Sequence, residues 1–444
     1  MKEKILSLIE QGKYFEARNE ISSLNVVDAA NLFDEIEQKH ILLVFRILPK
    51  DFSSEVFSHM SLELQKHVID SMTDEEAIRI FDDLFLDDAV DILEEMPANV
   101  VKKILKNSND NMRTLINQFL NYPEDSAGSL MTIEYVDLKK EMTVKQAIQY
   151  IKEIGIDKRT MNTCYVMDGS RILEGVISLR KLILSDESAI IKDIMETEVM
   201  SINTHDDQEE VAALFRKYDY YVMPVVDKEN RLVGIITVDD VLDVIDREAT
   251  EDLQKMAAMQ PSETEYLKTS NWRLAINRIP WLLILMISAT LTGGIIQRYE
   301  SALQSVIILA AFIPMLMDTG GNAGSQSSTL IIRGLALGEI KTSDTLRVLG
   351  KEFCVSNIAG IALAAVNFLR IYFFERAGLL MSLTVSVTLY LTVVLAKVVG
   401  GVLPIIAKKL KFDPAIMAGP LITTIVDAIA LIIYFNIASW LLGI

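Results

Sequence analysis

The sequence predicts a multidomain membrane protein: α and α+β cytosolic domains followed by a five-helix transmembrane bundle. Three observations carry this reading. Charge is divided along the chain: the first 270 residues hold 30 basic and 53 acidic side chains, a net of −23, and the rest hold 13 and 8, a net of +5. Apolar runs long enough to cross a bilayer, about 20 residues per helix, begin only near residue 279. Between residues 131 and 250 the chain repeats a strand-like pattern. The acidic excess excludes a nucleic-acid partner, which needs a basic footprint. The spans exclude a wholly soluble enzyme.

Residues 1–130 read as a helical superhelix. Amphipathic segments of about ten residues fall at 29–36, 61–72, 74–84, 87–96 and 99–105, with Pro49 and Pro97 between them. Such short stacked helices are typical of helical repeats. One surface is acidic, with Asp82, Asp83, Asp87, Asp88, Asp91, Glu94 and Glu95, and reads either as a solvated face or as a site for cations. The N-terminal Met1-Lys-Glu-Lys-Ile is too charged for a signal peptide, so this half is expected in the cytosol. Cys164, Cys354 and the four histidines form no metal or redox spacing.

Within residues 131–245, Tyr165-Val-Met-Asp168 followed by Gly175-Val-Ile-Ser178 matches Pro224-Val-Val-Asp227 followed by Gly234-Ile-Ile-Thr237. Each copy predicts a β-hairpin flanked by amphipathic helices such as Val144–Ile154 and 207–218. This resembles a tandem pair of CBS domains, a module that often binds adenine nucleotides. The resemblance implies Arg180 and Thr237 as nucleotide contacts. The second copy keeps the Thr237 and Asp240 pair of the nucleotide pattern, but the first has Lys181 where an Asp would meet a ribose. That departure counts against nucleotide regulation.

A connecting region, 246–270, then leads to the membrane. The acidic helical run entering it, 239–256, carries Asp239, Asp240, Asp243, Asp246, Glu248, Glu251 and Asp252. Like charges at three- and four-residue spacing repel by a few tenths of a kcal/mol per pair. A divalent cation between this face and another acidic domain would replace repulsion with cross-linking; the alternative is a solvated connecting helix.

From residue 271 the spans are expected at 279–297, 301–332, 353–374, 379–406 and 414–442. Loops rich in Arg and Lys join the second span to the third and the fourth to the fifth. The positive-inside rule places these loops in the cytosol and the C-terminus outside. Trp281 and Trp440 fall near opposite interfaces. Asp427 lies within the fifth span, where a carboxylate costs a few kcal/mol unless it meets water or a partner. It reads as a cation site in a water-filled path, or else as half of an ion pair with a lysine such as Lys397. Thr423 lies one turn earlier on the same face. The second span offers Asp318, Asn322 and Gln326 among dense glycines, either as close helix packing or as a hydrophilic lining. Carboxylate, amide and hydroxyl oxygens suit hard cations such as Mg²⁺, Ca²⁺ or Mn²⁺. A membrane potential of about 100 mV supplies roughly 4.6 kcal/mol to a divalent ion. No Walker A motif is present to drive a pump.

Taken together, the segments Tyr122–Thr132, Asp207-Gln-Glu-Glu210, Thr237–Val244, Thr319–Gln326 and Pro420–Asp427 resemble the MgtE family of magnesium channels over essentially the full length. The resemblance implies a homodimer in the lipid bilayer with one pore on its two-fold axis. Hydrated Mg²⁺ would pass, with Asp427 as the selectivity carboxylate supported by Asn322. It also implies closure by cytosolic Mg²⁺ at Asp87, Asp91, Asp207, Glu209, Asp219, Asp240, Asp243, Glu248, Glu251 and Asp252, with Asp413 at the mouth of the fifth span as a further site. Two other functions remain open. One is an ion-coupled exchanger using Asp318 and Asp427. The other is a non-conducting sensor signalling through its CBS pair.

Overall fold

The helical domain is built on a twelve-residue period. Ile21, Phe33, Phe45, Phe57, Ile69, Phe81 and Leu93 are all buried, each twelve residues from the next. Four of them form an edge-to-face ladder: Phe33 to Phe45 and Phe45 to Phe57 at 6.1 Å, and Phe57 to Phe81 at 6.3 Å. Such aromatic pairs add about 0.5–1.5 kcal/mol beyond their burial. Among the described residues ten helices wrap this ladder, from Lys2–Glu10 to Asp110–Phe119. Side chains fix where several begin. Thr73 and Glu76 close a capping box at the start of Asp74–Asp83, satisfying amide groups that a helix start leaves unpaired. The acidic segment folds as Leu86–Glu95.

This computed structural model describes residues 2–262, 266–267 and 269–443, apart from the side chains of residues 95 and 157. Two compact units emerge, Met1–Val244 and Ile245–Ile444. Positions 263–265 and 268 of the expected connecting region lie outside the described residues.

The repeat becomes two equivalent three-stranded sheets. β1 (Val136–Leu138) pairs parallel to β2 (Thr163–Met167), which pairs antiparallel to β3 (Leu173–Ser178). β4 (Ile202–Asn203), β5 (Val222–Val226) and β6 (Leu232–Thr237) reproduce that order. The matched glycines have one cause. A Cβ on Gly175 would lie 2.8 Å from Met195 Sδ, and one on Gly234 would lie 2.8 Å from Met131 Sδ. In both copies a Met-containing segment crosses the strand where only glycine leaves room. The flanking helices are Val144–Ile154 and Gln208–Tyr218.

The acidic helix runs continuously over Val238–Met256, so it starts before residue 246, where the connecting region was expected. The second unit is organised round five long helices: Ile279–Arg298, Ile308–Ala336, Thr345–Leu369, Leu379–Lys409 and Gly419–Leu442. Among the described residues four helical stretches are long and apolar enough to cross a membrane: Asn271–Arg298, Thr342–Glu375, Leu379–Lys409 and Pro414–Leu442. The second long helix has 29 residues, which at about 1.5 Å per residue exceeds a bilayer core, but its polar residues set it apart. Its expected start at 301 is corrected. A short helix, Glu300–Ser305, comes first, and the chain breaks at Val306 before Ile308. The third helix starts at Thr345, not 353, and closes in a π-turn over Arg370–Glu375.

Glycines set the distances between the second, fourth and fifth helices. A Cβ on Gly400 would lie 2.2 Å from the Gly324 carbonyl oxygen, and one on Gly321 would lie 2.8 Å from Thr423 Cγ2. Small residues at such contacts let backbones approach closely. Gly400→Val is therefore expected to separate the second and fourth helices and lower the melting temperature in detergent, with a cost of at least about 1–3 kcal/mol. Gly350→Ala, inside the helix Thr345–Leu369 with nothing within 4 Å of the new Cβ, should not lower it, because alanine suits a helix interior better than glycine.

Candidate functional site: a polar membrane face and two acidic clusters

Gly320 packs on Val426, Gly321 on Thr423 and Gly324 on Ile422. Numbers rise along one helix as they fall along the other, so the second and fifth helices are antiparallel. This register brings Asp318, two residues before Gly320, to the level of Asp427. Asp318, Asn322 and Gln326 follow at four-residue spacing and are all exposed on one face of the single chain. Asp427 is partly buried, and its Oδ1 is enclosed without a hydrogen-bond partner. Thr423 donates its hydroxyl to the Pro420 carbonyl at 2.8 Å, so its oxygen has only acceptor capacity left for a further partner.

The alternative of a Lys397–Asp427 ion pair does not hold. Lys397, nearly buried, donates to Gln326 Oε1 at 3.3 Å. One further membrane carboxylate escaped the sequence reading: Glu352 on the third helix, buried, accepts from Ser327 Oγ at 2.6 Å. Its place beside Lys351, one residue before the expected third span, gave no such signal.

At the mouth of the fifth helix, Lys255 of the acidic helix is paired with Glu251 and donates to Asp413 Oδ2 at 2.6 Å. Burial opposes the charge of Lys255, but Asp413 and Glu251 outweigh it and hold the ammonium above its ordinary value. Burial raises the carboxyl of Asp252, and the charge of Asp413 adds to this. The backbone closes the same corner. Gly419, at φ +33°, sits where a Cβ would lie 2.9 Å from the Met256 carbonyl oxygen. Met256 packs on Ile332, Ala415 and Ala418. The C-terminal turn of the acidic helix thus lies against the foot of the fifth span, and Glu248 sits partly buried two turns before Lys255.

The second cluster lies in the first unit. Arg159 meets Asp88 at 3.3 Å, Asp239 at 3.1 Å and Asp240 at 3.4 Å. Asp87 is 4% exposed, and neither carboxylate oxygen has a hydrogen-bond partner. Burial pushes its carboxyl up to about 6, helped by the charge of Asp88. Burial likewise lifts Asp240 to about 6, against the Thr237 hydroxyl that donates to it at 2.6 Å. Sequence reasoning missed Arg159, because nothing in its local spacing ties it to acids some seventy residues before and eighty after it.

The remaining predicted residues are dispersed. Asp91, Asp207, Glu209, Asp219 and Asp243 are exposed. Asp207 caps the helix Gln208–Tyr218, accepting from Glu209 N–H at 2.9 Å. Asp219 ends that helix in the left-handed region at φ 54°. Thr237 lines a cleft of about 200 Å³ with Arg159, Thr160, Asn162, Tyr221 and Asp239. Arg180 is exposed on Leu179–Leu184 and does not line it. Among the described residues, no three His, Cys, Asp or Glu side chains converge as metal ligands. A hydrated Mg²⁺ needs fewer, since it retains its waters and takes one or two carboxylates. The unpartnered oxygens of Asp87 and Asp427 fit that mode.

Comparison with known proteins agrees with this layout. Residues 313–437 match the MgtE divalent cation transporters, 24–125 the MgtE intracellular N domain and 191–247 a CBS domain. The magnesium transporter MgtE of Thermus thermophilus is 38% identical over 439 residues, covering 98% of this chain and 97% of the relative. The chain belongs to the MgtE family of magnesium transporters. The Bacillus subtilis MgtE is 36% identical over 436 residues, covering 98% and 96%. The structure of the cytosolic domain of the Mg²⁺ channel MgtE in complex with ATP superposes with a TM-score of 0.52 at 36% identity, over 55% of this chain and all of that one. The soluble part of a magnesium transporter gives 0.53 at 30% identity, over 56% and 98%. As an MgtE protein the chain is a multi-pass membrane transporter of magnesium and not an enzyme. The match of its first half to soluble domains agrees with a cytosolic placement.

The buried carboxyl of Asp87 gives a test in pH. Its folded value, about 6, lies above the ordinary 3.8. Its charged form therefore opposes folding fully above about pH 6, and the penalty fades as the pH falls towards 3.8. Asp87→Asn should stabilise the cytosolic domains at pH 7 in EDTA by about 1–3 kcal/mol. The unsubstituted protein should then gain on the variant between pH 7 and pH 5. Parallel melting profiles across that range would show that Asp87 is not desolvated.

Proposed function

We propose that the chain is a homodimeric Mg²⁺ channel that takes up Mg²⁺ down its electrochemical gradient and closes when cytosolic Mg²⁺ binds its acidic domains. The observation that carries this reading is the enclosed, unpartnered Asp427 oxygen, level with Asp318 and beside the exposed face of Asn322 and Gln326. In a two-fold assembly these faces from two copies line one path. Two Asp427 carboxylates then hold one hydrated divalent ion through its water shell, with Asn322, Gln326 and Thr423 as neutral oxygen ligands. The N-terminal domains lie in the cytosol and the C-terminus outside.

In this reading residues 1–130 and 131–245 sense the ion, 246–270 connect, and 271–444 conduct. Glu251, Asp252 and Asp413 crowd the foot of the fifth helix, and Glu248 lies earlier on the acidic helix. A divalent cation there relieves their repulsion and seats the acidic helix against the mouth. Asp87 and Asp240 act likewise between the helical domain and the CBS pair, with Asp91, Asp207, Glu209, Asp219 and Asp243 as outlying carboxylates. An adenine nucleotide would meet Thr237 in its cleft, which Arg180 does not line.

Asp427→Ala should abolish Mg²⁺ current or its selectivity in patch recordings; unchanged conduction would remove Asp427 from the path. Purified protein in liposomes should pass Mg²⁺ under voltage alone. Flux that requires a coupling-ion gradient would assign an exchanger, and no flux would assign a sensor. Neutralising Asp240 and Asp243 together should weaken inhibition by internal Mg²⁺, and an unaltered inhibition curve would overturn the feedback assignment.

A further inference from the structure

The membrane unit buries two opposite charges that do not pair with each other. Lys397 on Leu379–Lys409 is 8% exposed and donates to Gln326 Oε1 at 3.3 Å. Glu352 on Thr345–Leu369 is 9% exposed and accepts from Ser327 Oγ at 2.6 Å. Gln326 and Ser327 are neighbours on Ile308–Ala336, but Gln326 is exposed beside Asn322 and Ser327 is buried. The positive charge is thus bonded to the polar face of the second helix and the negative one to its buried side. A Cβ on Gly401, one turn after Lys397, would lie 2.9 Å from Glu352 Cγ, so the carboxylate sits further along the fourth helix. Among the described residues no ion pair involves Lys397. Burying an ammonium costs desolvation that an apolar side chain of similar volume avoids, so packing alone does not account for Lys397.

Its depth follows from the register of the second and fifth helices. Gly324 packs on Ile422, and Ser328 Oγ donates to the Met417 carbonyl at 3.0 Å. Gln326 falls between these contacts, level with the first turn of Gly419–Leu442 and eight residues beyond Asp318 on its own helix. At about 1.5 Å per residue that places Gln326 about 12 Å from the level of Asp318 and Asp427, on the side of the basic loop that follows Arg333. In a two-fold assembly an ion at that level meets the Asp318 and Asp427 carboxylates of both copies. Conduction needs a site that also lets the ion go. A positive charge further along the path opposes the cation, and acts on a divalent ion with twice the energy it has for a monovalent one. Lys397 also occupies one lone pair of the Gln326 oxygen, which leaves a weakened acceptor for the ion.

We propose that Lys397 sets how strongly the path holds Mg²⁺: its positive charge, placed beside the polar face by Gln326, weakens binding at the level of Asp427 and speeds release towards the cytosol. Lys397 does not touch the ion. It acts through Gln326 and through its field, while Glu352 and Ser327 keep the compensating negative charge on the far side of the second helix. The role of Lys397 rests on the channel reading given above.

Uptake by the full-length protein in liposomes, driven by an inside-negative voltage and read by a Mg²⁺-sensitive dye in a Mg²⁺-free lumen, tests this. Lys397→Met, of similar length and without charge, should lower the external Mg²⁺ concentration for half-maximal uptake by about fivefold. The maximal rate should fall as well, because release slows. Lys397→Gln should do the same and carries the test if Lys397→Met misfolds. Lys397→Arg keeps the charge and should stay close to the unsubstituted protein in both quantities. A half-maximal concentration that is unmoved or raised in the folded neutral variants would make Lys397 a packing residue and overturn the proposal. Loss of the same size in Lys397→Arg as in Lys397→Met would also overturn it, since charge would not be the cause. In each of these outcomes the unsubstituted protein still passes Mg²⁺. No uptake by the unsubstituted protein would instead overturn the channel reading, and the role of Lys397 with it.

Discussion

A carboxylate taken out of water must find a cation or pay for its isolation, and this constraint organises both units of the chain. In the membrane unit, glycines bring three helices together so closely that Asp427 is partly enclosed and one of its oxygens is left without a protein partner. Lys397, a nearby cation of the same unit, is held by Gln326 instead. A site with its own internal counter-ion would bind an incoming ion poorly. The fold directs the lysine to Gln326 and leaves one Asp427 oxygen without a hydrogen-bond partner.

The cytosolic carboxylates are handled differently. There the chain supplies its own cations, Arg159 among Asp88, Asp239 and Asp240, and Lys255 between Glu251 and Asp413. Each carries one positive charge among several negative ones, so each cluster stays held together and under-neutralised. That balance suits a responsive element better than either extreme. Fully paired acids would not notice a divalent ion, and wholly unpaired ones would drive the domains apart.

The architecture was largely legible in order. Short helices, a two-fold strand repeat and five long apolar or glycine-rich helices follow from periodicity and length, because local spacing reports which face meets water. Boundaries were less so. The break at Val306 and the start of the third helix at Thr345 are set by packing against neighbours, which leaves no local mark. The twelve-residue period of the helical domain was present in the letters, but it joins one position per helix turn-pair and is hidden among ordinary amphipathic contacts. Asp427, Asn322 and the acidic runs stand out as single anomalies in their surroundings. Glu352, beside Lys351 at the edge of its span, reads as an ordinary surface charge, and only its buried contact with Ser327 brings it forward.

The sequence by itself determined the division into an acidic half and a membrane half, the tandem repeat and the polar residues set among the apolar helices. Each depends on residue type and spacing along the chain, which sequence records directly. Tertiary structure alone decided which charges meet. The level shared by Asp318 and Asp427, the partner of Lys397 and the three carboxylates round Arg159 join residues tens to more than a hundred positions apart. A Coulomb interaction depends on distance in space and on exclusion of water, and neither is written in the order of the residues.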